Sequence, residues 1–177
     1  SPPAAPSALA ASPLSSNQIR LSWTDNAVDE TGFQIERSTD GVNFGLAGTA
    51  GANATGYTDS GLSAGTPYWY RVRAINTYGQ SGYSNVATAT TRISPPATPG
   101  GLAATAVSRS QINLAWGDNS SNEVGFRIEQ STNGTTFAEI ATVGANVKAY
   151  QSTGLSANKT YYYRVRAYNA GGSSAYS

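Results

Sequence analysis

The chain has 177 residues with 11 Lys and Arg against 10 Asp and Glu, and only 12% of it is charged. Nucleic-acid binding needs a concentrated basic face, and a membrane patch or span needs a run of like charges or a long apolar stretch; none of these is present. His, Cys and Met are absent, so no disulfide can brace the fold, and the commonest general base and the thiol nucleophile are both missing.

The chain opens on SPPAAP. Proline fixes φ and lacks a donor, so residues 1–5 are predicted to be a semi-rigid, polyproline-like linker rising about 3 Å per residue. From residue 6 the apolar period is two. Ile19, Leu21 and Trp23 alternate with Arg20 and Ser22, which predicts a strand. After the acidic WTDNAVDETGF, Phe33 and Ile35 alternate with Gln34 and Glu36 in a second strand. Asp40-Gly41 suits the positive φ of a two-residue hairpin and predicts a return strand ending near Phe44. In YWYRVRAIN, Tyr68, Tyr70, Val72 and Ala74 face one way and Trp69, Arg71, Arg73 and Ile75 the other. SNVATATT, Ser84–Thr91, reads as the last strand of a domain over residues 6–92, and SPPATP marks a second linker over 93–98. No segment carries a helical stripe.

From residue 99 to 177 the pattern returns at an offset of 93 residues. Trp116 follows Trp23, Phe126 follows Phe33, Ile128 follows Ile35 and Tyr161 follows Tyr68, without a gap, so the chain is a duplication. A unit of this length folds on its own rather than as one turn of a solenoid. Short strands separated by turns predict an all-β chain of two tandem immunoglobulin-like sandwiches. Trp23 and Trp116 are the predicted core anchors, and replacing either by alanine is expected to cost about 3–5 kcal/mol.

GLSAGTPYWYRVRAIN and GLSANKTYYYRVRAYN resemble the fibronectin type III pattern of Leu, a turn, Tyr, alternating Val and Ala, then Asn. The resemblance covers nearly the whole chain. It implies a tyrosine corner, Leu62 with Tyr68 and Leu155 with Tyr161, whose hydroxyl bonds backbone and lets the ring be buried. Gly65 in one copy and Asn158 in the other fit a position needing positive φ. The second copy reaches Ser177, which aligns with Ser84, so its last strand is expected to be missing here. The preferred reading is a chain that continues further, as the lack of a starting Met also suggests; the alternative is a strand donated by another chain.

For chemistry, the best acidic cluster is Asp25, Asp29 and Glu30, answered by Asp118 and Glu123 in the second copy. The preferred reading is that these loop acids cap backbone amides; the sharper one is a calcium site, though two recurring carboxylates fall short of a calcium shell. No G-x-S-x-G elbow or phosphate loop occurs. On the outward face of the Phe33 and Tyr68 strands, Glu36 and Glu129 are expected beside Arg71, Arg73, Arg164 and Arg166. Trp69, Arg71, Arg127 and Tyr162 form the candidate surface for a sugar ring or partner, with Arg127 as the cation over an aromatic. The plainer reading is a solvated face with arginine stems over rings. The loops NTYGQSG and NAGGSSA lack the Arg-Gly-Asp that some family members carry. Sequons begin at Asn53, Asn119, Asn133 and Asn158, as often as chance would place them.

No catalysis, cofactor or metal is expected. The first functional expectation is a spacer or adhesion segment of a larger secreted or cell-surface protein, of bacterial type. The second is an accessory module of an extracellular polysaccharide-degrading enzyme, a setting in which the resembled family often occurs. The third is a filament subunit completed by strand donation. Expected partners are other domains of the parent protein, with a polysaccharide or a cell-surface protein as candidates, and neither nucleic acid nor membrane insertion.

Overall fold

The computed structural model describes all 177 residues and contains fifteen strands and no helix. It divides into two units, Ser1–Ile93 and Ser94–Ser177.

In the first unit the strands are β1 (Ser7–Pro13), β2 (Gln18–Thr24), β3 (Gly32–Ser38), β4 (Gly45–Gly51), β5 (Gly56–Ser60), β6 (Pro67–Asn76), β7 (Gly79–Gln80) and β8 (Ala87–Thr90). One sheet has the order β1-β2-β5; the other has the order β4-β3-β6-β7, with β8 also paired to β6. The period-two segments bury alternate residues between these layers. Ile19, Leu21, Phe33, Ile35, Tyr70, Val72 and Ala74 are fully buried, with Trp23 against Phe33 at 5.4 Å between ring centroids. This packing of two half-apolar sheets is the driving force of the fold.

The second unit repeats the plan with β9 (Gly100–Ser108), β10 (Gln111–Gly117), β11 (Gly125–Ser131), β12 (Ala138–Gly144), β13 (Ala149–Thr153), β14 (Tyr162–Asn169) and β15 (Gly172–Ser173). Its sheets are β13-β10-β9 and β12-β11-β14-β15. Trp116, Phe126, Leu114, Ile128, Val165 and Ala167 form the buried core.

Several sequence expectations need correction. Asp40-Gly41 is not a two-residue turn: residues 39–44 connect β3 to β4, and the return strand begins after Phe44 rather than ending there. The reason is side-chain capping. Ser38 Oγ accepts from the amides of Asp40 and Gly41, and Asp40 Oδ1 accepts from those of Val42 and Asn43, which stabilises a wider loop. The Ser131 and Asn133 side chains do the same in the second unit.

The proline segments, expected to be semi-rigid linkers over 1–5 and 93–98, are hydrogen-bonded to the unit that follows them. Asn76 Nδ2 donates to Ser1 O at 3.1 Å and Asn169 Nδ2 to Ser94 O at 2.9 Å. Asn26 and Asn119 hold Ala5 O and Thr98 O in the same way. Pro3, Pro6, Pro96 and Pro99 are buried. Proline carbonyl neighbours cannot pair within their own segment, so asparagine amides of the sandwich supply the donors.

The two tyrosine corners differ. Ser63 N donates to Tyr68 Oη and Ser156 N to Tyr161 Oη, each at 3.0 Å. Leu62 and Tyr68 are 7% and 6% exposed, whereas Leu155 and Tyr161 are only half-buried, contrary to the equal burial implied by the repeat. In the first unit β8 and Thr91 cover the corner, with Thr66 N donating to Thr91 Oγ1 at 3.0 Å. On the edge that β8 covers in the first unit, residues 160–163 of the second have no strand partner, and β14 begins at Tyr162 where β6 begins two positions earlier in the repeat.

Candidate functional site

The alternation that buries Tyr70, Val72 and Ala74 sends Trp69, Arg71 and Arg73 to the outer face of β6, opposite Ser38, Glu36 and Gln34 of β3. There Arg71 is stacked between two rings, its guanidinium carbon 4.4 Å from the Phe44 centroid and 3.9 Å from that of Tyr83. Its Nε donates to Glu36 Oε2 at 2.8 Å, and Arg73 reaches the other carboxylate oxygen at 3.5 Å. Tyr83 Oη donates to Glu36 Oε1 at 2.7 Å.

The second unit builds the same ladder. Arg164 lies 4.2 Å from the Phe137 centroid and 3.8 Å from that of Tyr176. Its Nε donates to Glu129 Oε2, as Tyr176 Oη does to Oε1. Stacked guanidiniums hold ring and carboxylate together at once.

These contacts fix the charge states. Burial works against the Glu36 carboxylate, but hydrogen bonds from Tyr83 and Arg71 and the charges of Arg71 and Arg73 outweigh it and hold its pKa below the usual value. Burial, the hydrogen bond to Glu36 and its charge push the Tyr83 phenol upward. Glu129 and Tyr176 shift in the same directions for the same causes.

The four candidate surface residues fall two to each unit, Trp69 and Arg71 in the first and Arg127 and Tyr162 in the second. Trp69 is half-buried beneath the Gly41 turn, whose missing side chain leaves room for the indole. Tyr162, 45% exposed, lies against Gly134 in the corresponding place of the other unit. Arg71 is committed to its ladder. In the second unit the Arg127 guanidinium lies 4.8 Å from the Tyr168 centroid rather than over Tyr162, because Arg127 is opposite Arg166 on the strand while Tyr162 is opposite Ser131. The ring partners Phe44, Tyr83, Phe137 and Tyr176 were not singled out from the sequence. Their recurrence at the 93-residue offset was the available signal for Tyr83 and Tyr176.

The loop acids bind backbone. Asp25 Oδ1 accepts from Ala27 N at 3.0 Å and Asp118 Oδ1 from Ser120 N at 3.1 Å. Glu30 Oε1 accepts from the amide of Asn53 at 2.8 Å, and Glu123 Oε1 from that of Asn146 at 3.2 Å. Ser120 Oγ donates to Glu123 Oε2. Asn53 and Asn146 have φ near +60°, so each glutamate pins a left-handed turn, between β4 and β5 in the first unit and between β12 and β13 in the second. No three acidic side chains converge.

A polar cluster lies at the edge of the core of each unit, built on buried Asp59 and Tyr70 in the first and on buried Ser152 in the second. Arg37, Asp59 and Tyr70 meet in the first: Arg37 Nη1 lies 2.9 Å from Asp59 Oδ2, and Tyr70 Oη donates to the same oxygen at 2.9 Å. Burial, with the charge and hydrogen bond of Asp59, drives the Tyr70 phenol far above its ordinary range. In the second unit Gln130, Ser152 and Tyr163 occupy these positions and bond one another without charge.

Comparison with known proteins places these features in context. The profile of the fibronectin type III domain matches residues 4–90 and again 95–177. Exoglucanase B of Cellulomonas fimi is 34% identical over 185 aligned positions, covering 96% of this chain and 16% of that protein. Chitinase A1 of Niallia circulans is 32% identical, with 96% of this chain and 24% of that protein covered. The chain thus spans less than a quarter of either relative. A two-domain segment of chicken tenascin superposes with a TM-score of 0.50 at 16% identity, covering 97% of this chain and 95% of that one.

Proposed function

This chain belongs to the fibronectin type III domain family, in two tandem copies, and from that premise we propose that it is a non-catalytic spacer region of a larger secreted enzyme that degrades an insoluble polysaccharide. The observation that supports this most is the commitment of its polar side chains. Glu36 and Glu129 are locked to arginine and tyrosine, Asp25, Glu30, Asp118 and Glu123 to backbone amides, and Asp29 to the Asn76 side chain. A glycosidase needs two carboxylates facing a cleft with one free to exchange a proton, and these are held in place by their neighbours. Both relatives carry the matching stretch as a minor part of a protein named for cleaving a glucan or chitin. Their relation argues for an extracellular setting with other domains of the parent as partners.

The test is direct. Incubated with crystalline chitin and with cellulose, the 177-residue chain releases no reducing ends and stays in the supernatant after centrifugation. Release of sugar overturns the non-catalytic reading. Retention on either polymer, lost in W69A/Y162A, replaces the spacer role with a carbohydrate-binding one.

A further inference from the structure

The outer faces of the two units diverge at one place. In the first, Arg73 Nε donates to Gln34 Oε1 at 2.9 Å, a neutral acceptor facing a cation across β3 and β6. The repeat puts Arg166 where Arg73 stands and Arg127 where Gln34 stands, so β11 and β14 make the two arginines direct cross-strand partners. Like charges in a cross-strand pair repel.

Neither arginine has a carboxylate within hydrogen-bond distance. Glu129 is engaged by Arg164 Nη2 at 2.6 Å and by Tyr176, and reaches Arg166 only at 3.6 Å. Glu139 lies 3.9 Å from Arg127, too far for a hydrogen bond. The Nε donors of Arg127 and Arg166 are both shielded from solvent and without any acceptor. Buried unpaired donors are uncommon in folded proteins and call for a partner. Tyr168 beneath Arg127 and Tyr176 beneath Arg166 hold the pair in place, at 4.8 and 4.7 Å. The side chains remain 39% and 27% exposed, so their ends can turn toward a ligand.

We infer that Arg127 and Arg166 form a binding site for a single oxyanion group, either a free inorganic anion or the carboxylate of an acidic sugar. Planar guanidinium forks bind oxyanions through paired N–H donors, and a negative group between two of them removes their repulsion as well. The first unit has no such site, because Gln34 already satisfies Arg73. The inference is independent of which enzyme carries the segment.

The experiment is a titration of the 15N-labelled chain, following the arginine Nε–Hε resonances, with sodium sulfate in one arm and trigalacturonate in the other, against sodium chloride at matched ionic strength. Saturable shifts of the Arg127 and Arg166 signals are expected, absent with chloride. Saturation by sulfate alone identifies a free anion as the source, and saturation by trigalacturonate identifies the sugar acid. R127Q, which copies the arrangement already folded in the first unit, weakens binding roughly tenfold, the equivalent of one charge-assisted hydrogen bond. K159Q removes the same charge elsewhere and leaves binding unchanged. Absence of saturation by both anions, unaltered binding in R127Q, or an equal loss in K159Q overturns the site.

Discussion

Arg37 holds Asp59 with a single nitrogen placed 3.2 Å from one carboxylate oxygen and 2.9 Å from the other, at the end of the first core. Asp59 is 3% exposed, and its remaining partner is the Tyr70 hydroxyl. R37Q leaves that carboxylate buried without a cation and is expected to lower stability by about 3 kcal/mol. The double variant R37Q/D59S reproduces the neutral Gln130–Ser152 arrangement and is expected to recover to within about 1 kcal/mol of the parent. Urea unfolding followed by tryptophan fluorescence reads both.

Ala8 is strained. It sits at φ +53° at the start of β1, where the register shifts between Ser7 and Ala10, while the second unit has Gly101 there at φ +62°. A side chain in the left-handed region costs about 1–2 kcal/mol, partly offset by the flexibility glycine brings to the unfolded chain. A8G is therefore expected to stabilise the first unit by roughly 0.5–1 kcal/mol, visible as a higher urea midpoint. A lower midpoint refutes the strain argument.

Gly48 matters for a different reason. A methyl group there collides with the Tyr57 hydroxyl, which bridges to Ala47 O between β4 and β5. The second unit has Ala141 and Tyr150 at these positions, without that bridge. G48A is expected to expel Tyr57 and cost about 1–3 kcal/mol. Adding Y57F to the parent removes only the hydroxyl and should cost under about 1 kcal/mol.

Acid stability follows from Glu36 and Glu129. Their folded pKa values lie below the usual glutamate value. Their stabilisation is thus complete above about pH 4.3, the unfolded value, and drains away as pH falls through the lower folded one. Unfolding midpoints should be flat from neutrality to about pH 5 and then drop, and E36Q/E129Q should flatten that drop. At the alkaline end Tyr83 and Tyr176 are raised, so their contribution is full below about pH 10 and is lost above it.

The two units should unfold separately. The first buries twelve apolar core residues and the second six, with Leu155, Tyr161 and Leu102 only partly covered in the latter. Less apolar burial means less stabilisation, at about 25 cal/mol per Å². Trp116, the one indole of the second unit, should report a lower midpoint than Trp23 in the first. A W69F background isolates the two signals.

The sandwich was legible in the sequence because it depends on period two and on large buried side chains. Trp23, Phe33, Tyr70 and Val72 announce their layer by spacing alone. Strands β1 and β5 carry no clear period in the sequence, and β4 is legible only as a return strand placed too early, ending near Phe44: SALAASP and GLAGTAG hold small residues that mark no face, and their place is set by pairing with β2 and β3. The outer ladder was half visible. Glu36 and Arg71 were placed by alternation, but Tyr83 lies beyond the turn of β7, and only the three-dimensional path returns it to Arg71. Arg127 is legible as the cation over an aromatic, but spacing along a strand does not say which ring a long side chain reaches, and Gly125 leaves the space that Tyr168 fills.

Asn76 and Asn169, gripping Ser1 and Ser94, alter how this chain would respond to a mechanical load. In a slack tether the prolines would straighten first and absorb the pull. Here that slack is already taken up, so tension entering at Ser94 passes through an amide hydrogen bond into the end of β14. A pull on either proline segment therefore meets an anchored strap at the start of the unit rather than a spring.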